Sequence, residues 1–172
     1  MEVKELIKLA KKGDDGAFYE LMQLHKVRLL KIAISYLHNE VDALEALQEV
    51  TFRSYRSIKK VKQPEYFSTW LIRIMINYCH DQIHKKKSIA DTSLLDNIAE
   101  TVNYNQPLEI EEALEKIDAH LREVIILKYY HDLKIKDIAE ILDSPESTIK
   151  TWLYKGLKAL RDQLGERGGI NV

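Results

Sequence analysis

Between Ser147 and Arg161 the chain carries hydroxyls, a phenol and cations, and no acid. On a helix advancing about 100° per residue, Ser147, Thr151, Tyr154, Lys158 and Arg161 fall on one side. Ile149, Leu153, Gly156, Leu160 and Leu164 fall opposite, and Thr148, Lys150 and Lys155 lie between them. Side chains of the first kind bond phosphate oxygens and base edges, so the pattern suits a helix lying in a DNA major groove. Charge alone would favour a solvated basic face on an ordinary hairpin. A second set joins a basic connection, Lys59, Lys60 and Lys62, to Gln63 and to the aromatics Tyr66, Phe67 and Trp70. A third candidate is the pair His80 and His84, four apart on a helix and able to share a metal ion. Two histidines without a third ligand nearby are weak support for that chemistry.

The first set depends on what precedes it. Leu133-Lys134-Ile135-Lys136-Asp137-Ile138-Ala139-Glu140-Ile141-Leu142 has the spacing of a short amphipathic helix. Asp143-Ser144-Pro145-Glu146 then makes a four-residue turn, and Ser147 begins a longer helix running to Leu164. This is the helix-turn-helix plan. Ala139 is small where the helices must approach, and Ile138, Leu142, Ile149 and Leu153 can form their shared core. The arrangement moves the reading of the basic face to DNA binding.

Upstream, Gly13 to Gly16 breaks a short opening helix, with Asp14 or Asp15 available as a cap. Phe18, Leu21, Leu24, Leu29, Ile32 and Leu37 then keep helical spacing up to Asn39. Val41 to Ile58 is a second long run. Pro64 suits the first turn of the next helix, which carries Phe67, Trp70, Leu71, Ile74 and Met75 into His84-Lys85-Lys86-Lys87. Trp70 is expected in the core, and Phe67 is open between core and surface. Residues 88–108 turn polar and acidic and read as a flexible linker, with a helical turn possible around Leu94 to Ile98. Glu109 to His131 is helical again, and the end of the chain, from Gly165, should fray.

Few breakers (6 Gly and 3 Pro) against 31% charged residues favour helices over sheet. The fold class is therefore all-α. The formal net charge of −1 argues against a generic nucleic-acid binder, but it hides a pattern. Residues 1–87 hold 16 basic against 11 acidic side chains, residues 88–108 hold none against three, and residues 109–172 hold 10 against 13. Cys79 is the only cysteine, so no intrachain disulfide can form, which suits a reducing cytosol. No stretch approaches the ~18–20 apolar residues that span a bilayer, so the chain reads as cytoplasmic.

Asp42-Ala43, Gln48-Glu49, Arg53, Tyr55 and Arg56 resemble region 2.2 of bacterial sigma factors. Tyr66-Phe67, Trp70 to Ile74, Asn77, Asp81 and His84 to Lys87 resemble regions 2.3 and 2.4. Arg122-Glu123-Val124 and Leu127 to Tyr130, continuing into the helix-turn-helix, resemble regions 4.1 and 4.2. In that order, with a short linker in place of regions 1.1 and 3, the chain resembles the extracytoplasmic-function (ECF) sigma factors. Two departures stand out: Asp143 replaces a glycine common at the turn, and Trp152 stands where arginine is frequent.

The resemblance implies two small helical domains, region 2 over 1–87 and region 4 over 109–165, with a tail at 166–172. It implies that Asp42, Glu45, Gln48, Glu49 and Arg53 dock on the clamp helices of RNA polymerase core, whose flap receives region 4. Lys59, Lys60, Lys62, Gln63, Tyr66, Phe67, Arg73 and Asn77 would open and read the −10 element. Ser147, Thr148, Lys150, Thr151, Tyr154, Lys155, Lys158 and Arg161 would read the −35 element. It further implies promoter DNA and an anti-sigma factor as partners, attachment to the membrane only through the latter, and neither cofactor, metal nor small-molecule substrate. A helix-turn-helix regulator with a sensory or dimerising domain is the alternative, and a metal-dependent enzyme built on His80 and His84 is a third. No nucleophile–base pair and no Gly-rich phosphate loop supports an enzyme.

Overall fold

The computed structural model describes residues 1–90 and 108–168, and every regular element among them is helical. The chain divides into two compact units, and each described stretch belongs to one of them.

The first unit is built around one long helix. α1 (Val3–Lys11) buries Leu6, Ile7 and Ala10 and stops at Gly13, whose φ of +99° costs a glycine little. There Gly13 N–H donates to Ala10 O and Asp14 N–H to Leu9 O, the paired bonds of a Schellman ending. Asp14, not Asp15, caps α2 (Asp15–Leu37): its carboxylate accepts from Ala17 N–H at 2.9 Å. His38 ends α2 in a left-handed conformation, and Asn39 caps α3 (Glu40–Ser57) by accepting from Asp42 N–H. Asn39 thus begins the following helix rather than closing the previous one.

Two 3₁₀ turns, Ile58–Lys60 and Pro64–Tyr66, lead into α4 (Phe67–Ala90). α2 packs against α1, α3 and α4, and its Leu21, Leu29 and Ile32 meet a core completed by Phe67, Leu71, Ile72, Met75 and Ile76. Leu24 departs from the expected core stripe and is 59% exposed. α4 runs through residues 88–90, so the helix outlasts the boundary set at 87. The rest of the expected linker, including the turn around Leu94, lies outside the described residues.

The second unit holds α5 (Leu108–Glu115), α6 (Ala119–Ile125), α7 (Ile135–Ile141) and α8 (Glu146–Gly168). The expected single helix over 109–131 is broken twice. Ile117 turns into the core between α5 and α6, with Asp118 starting the new helix. The end of α6 then widens into a π turn, Ile126–Tyr130. α8 passes through Gly165 and runs to Gly168, beyond the expected end at Leu164, and the rest of the tail lies outside the described residues.

Candidate nucleic-acid and polymerase interfaces

The helix-turn-helix consists of α7, the corner at Asp143 and α8. Ile138 and Ile149 are fully buried between them, whereas Leu142 and Leu153 are half-buried. Asp143 takes the corner with φ +51°, the conformation that glycine adopts most easily and that Asp tolerates better than most. Ser144 N–H donates to Ala139 O at 3.0 Å and closes the turn.

α8 can lie close to α6 because residue 156 is glycine. A Cβ there would come within 2.9 Å of Ile125 Cδ1 and 3.3 Å of the Leu121 carbonyl oxygen. With that side buried, Ser147, Lys150, Thr151, Tyr154, Lys155, Lys158 and Arg161 are all exposed, Tyr154 by 72%. Thr148 is half-buried. The Thr151 hydroxyl donates to Ser147 O at 3.0 Å, which leaves its oxygen facing outward as an acceptor. Trp152 packs edge-on against His120 of α6, ring centroids 5.1 Å apart, so it is a packing residue in this chain.

In the first unit the basic connection is anchored from below. Ile58 and Val61 are buried, Lys11 Nζ of α1 donates to Val61 O, and Lys4 pairs with Glu65 at 3.0 Å. A backbone hydrogen bond and the Lys4 ammonium hold the Glu65 carboxyl below its ordinary range. Lys59, Lys60, Lys62 and Gln63 consequently stand out to solvent, with Tyr66 38% exposed beside them. Arg73 and Asn77 are exposed one turn apart on α4. Phe67 does not join them. It is 1% exposed, 5.3 Å from the His25 ring and 5.7 Å from Trp70, and its inclusion among base-contacting residues is corrected: the ring is core. Trp70, expected in the core, is only half-buried. Both lie on the first turn of α4, where a 3.6-residue period leaves one aromatic to point inward and the other to the rim.

The five polar residues of α3 are split between two flanks. Asp42 pairs with Lys86 of α4, Glu49 accepts from Arg53 Nε at 3.0 Å, and the Arg53 guanidinium lies 5.3 Å over the Tyr78 ring of α4. Burial, then the charges of Glu45 and Glu49, push the Tyr78 hydroxyl above its ordinary range, with Arg53 opposing. Gln48 faces the other way, lining a shallow groove of about 410 Å³ with Phe18, Tyr19, Met22, Gln23 and Lys26 of α2. Sequence reasoning missed Tyr78 and, though Lys86 was named in the basic run, missed its pairing with Asp42. Neither contact is readable locally, because each depends on which helices become neighbours in the fold.

His80 stands edge-on to Tyr36 with centroids 5.5 Å apart, while His84 is exposed. Among the described residues no group of three or more His, Cys, Asp or Glu could hold a metal ion. No described helix is long and apolar enough to cross a membrane.

Two helical units, the second ending in a helix-turn-helix, match two families. Sigma-70 region 2 covers residues 21–89 and sigma-70 region 4 covers residues 108–160, which places the chain among bacterial transcription initiation factors. It is 32% identical over 182 residues to the ECF RNA polymerase sigma factor SigW of Bacillus subtilis, covering 95% of this chain and 97% of that one. Similarity to SigV of the same organism is also 32%, over 81% of this chain and 86% of SigV. The chain belongs to the ECF RNA polymerase sigma factors, and it directs transcription initiation through regions 2 and 4 rather than acting as an enzyme. The fold is shared with CnrH, solved in complex with the cytosolic domain of CnrY. That match has a TM-score of 0.71 at 20% identity and covers 97% of this chain and 100% of CnrH. It is shared also with the sigma factor RpoE of Bartonella quintana, solved with the anti-sigma factor NepR, at TM-score 0.69, 22% identity and coverage of 86% and 96%.

Proposed function

We propose that α8 reads the −35 element with Ser147, Lys150, Thr151 and Tyr154 at base edges, while Lys158 and Arg161 hold phosphates. The single observation carrying this reading is the exposed, acid-free face from Ser147 to Arg161 on a helix whose other side is buried against α6 and α7. Residues near the N-terminus of a recognition helix reach deepest into the groove, and later ones meet the backbone as the helix leaves it. Thr148 and Lys155 flank the face and serve the rim. Lys59, Lys60, Lys62, Gln63 and Tyr66, with Arg73 and Asn77, engage the −10 strand as it opens. Cations hold its backbone, and the phenol and amide meet unstacked bases.

Asp42, Glu45, Gln48, Glu49 and Arg53 dock on the clamp helices of polymerase core, and region 4 meets the flap. The domain assignment follows: region 2 within the first unit and region 4 within the second. Two relatives of this fold were solved with partners, the cytosolic domain of CnrY and the anti-sigma factor NepR. An anti-sigma factor is accordingly a partner of this chain too. The protein works in the cytoplasm at the nucleoid, and a membrane-anchored anti-sigma factor would be its only tie to a membrane.

The test uses holoenzyme on −35 variants. Lys150→Ala should cost about 1–3 kcal/mol and relax base preference at one position, whereas Lys158→Ala should weaken all variants alike and lower the salt slope by about one unit. Base preference altered by Lys158→Ala, with uniform weakening by Lys150→Ala, would reverse the helix. For the polymerase face, Glu49→Lys with Arg53→Glu should weaken core binding at unchanged helical content. An unchanged affinity would remove α3 from that interface.

A further inference from the structure

Four consecutive basic side chains lie in the last two turns of α4, His84, Lys85, Lys86 and Lys87, and all are exposed. One of them is engaged within the protein. Lys86 Nζ reaches across to α3 and pairs with Asp42, the carboxylate that opens the polymerase-facing helix. The lysine side chain remains 59% exposed and the aspartate 31%. Asp42 also has its backbone capped, where Asn39 Oδ1 accepts from its N–H at 3.0 Å, so the first turn of α3 that carries the carboxylate is held. The pair therefore joins a residue assigned to polymerase with the end of the helix whose Arg73 and Asn77 are assigned to DNA.

An exposed ion pair of this kind is weak enough to be exchanged by a better partner. A cationic or hydrogen-bonding group of polymerase arriving at Asp42 competes directly with Lys86. A displaced lysine on an exposed helix end next to two further lysines becomes available to phosphate, which binds it with release of a counterion. We propose that Asp42 and Lys86 form an exchangeable pair: polymerase core takes Asp42, and Lys86 passes to the promoter backbone. The inference rests on the docking of core at α3. In the free chain the same pair lowers the number of cations open to DNA at this end of α4, so docking and DNA binding are coupled through one side chain.

The coupling predicts opposite signs for one substitution. Lys86→Ala in the full-length chain should strengthen core binding, measured by fluorescence titration without DNA, by roughly 1.4- to 5-fold, the range spanned by exposed ion pairs. The same variant as holoenzyme should bind promoter more weakly, with a salt slope smaller by about one unit. Lys87→Ala, an equal loss of charge on the neighbouring residue, should lower promoter binding but leave core affinity as it is. Asp42→Asn should weaken core binding. If Asp42→Asn leaves core affinity unchanged, docking at this aspartate is refuted and the exchange with it. If Asp42→Asn weakens core binding but Lys86→Ala weakens it as well or leaves it unchanged, docking stands and the exchange is refuted.

Discussion

Replacing Gly156 by alanine tests the packing that presents the recognition helix. The new Cβ would stand 2.9 Å from Ile125 Cδ1 and 3.3 Å from both Ile125 Cγ1 and the Leu121 carbonyl oxygen. The carbonyl belongs to α6 and cannot turn away, whereas the Ile125 end can rotate at about 0.5–1.5 kcal/mol if forced off its rotamer. Overpacking of this size costs about 1–3 kcal/mol, and alanine returns up to about 1 kcal/mol of helix propensity. A net loss of about 1–2 kcal/mol is expected. Ile125→Val removes Cδ1 and alone costs about 0.5–1.5 kcal/mol. In the double variant the shortest contact is gone, so the two losses should sum to at least about 0.5 kcal/mol less than additivity requires. Each unit holds one tryptophan, Trp70 and Trp152, and the units need not unfold together. Urea unfolding should therefore be followed by Trp152 fluorescence in a Trp70→Phe background. Losses that add within error, or a Gly156→Ala variant more stable than its parent, would show that the close approach of α6 and α8 does not constrain residue 156.

Asp143→Gly should stabilise the second unit by up to about 1 kcal/mol in the same assay, because glycine meets the φ of +51° without a Cβ penalty; a loss of stability would mean that the aspartate side chain holds the corner. Phe67→Ala should destabilise the first unit by about 3–5 kcal/mol, while Tyr66→Ala should leave stability within about 1 kcal/mol and reduce permanganate reactivity of promoter thymines. Equal stability losses would undo the division of roles between these neighbours. Burial pushes the Cys79 thiol up to about 12, so native protein at pH 8 should resist a thiolate-selective reagent and label fully only after unfolding. Because the unfolded thiol ionises near 9 and the native one near 12, stability should fall as pH rises between those values, and a flat profile there would contradict the burial.

Helix existence was legible because apolar residues recur with the right period and breakers are few. Gly13 and Pro64 marked joints that depend on local backbone chemistry; Gly13 falls where expected, whereas Pro64 opens a 3₁₀ turn just ahead of α4 instead of its first turn. What the period could not decide was depth. Leu24 keeps the spacing of Leu21 and yet faces solvent, because α1, α3 and α4 cover other sides of α2. Trp70, expected in the core, lies at the rim, and Phe67, left open, is core, for the same reason: three residues along a helix differ by about 60° from a full turn, enough to separate core from rim. The break at Ile117 and the π turn escaped notice because neither uses glycine or proline. The break places Ile117 in a buried cluster with Leu114 and Ile125. The eight residues of α8 assigned to DNA were legible as a face, since acids are missing from one side of a helix, and seven of them are exposed. The pairing of Asp42 with Lys86 spans 44 residues and depends on which helices become neighbours, which no local pattern encodes.

The loop before α4 is fastened at both of its 3₁₀ turns, by buried Ile58 and Val61 and by Lys4 and Lys11 of the opening helix. A loop free to wander would have to freeze its backbone when it met a DNA strand, at about 1–2 kcal/mol per residue. Here the loop is already held in the free chain, so under the proposed role contacts made by Lys59, Lys60, Lys62 and Gln63 would not have to offset that ordering. α1 lies outside the stretch shared with the region 2 family, which begins at residue 21, and it is α1 that supplies two of the fastenings. The opening helix thus braces the loop proposed to engage the −10 strand, from outside the stretch that the region 2 family shares.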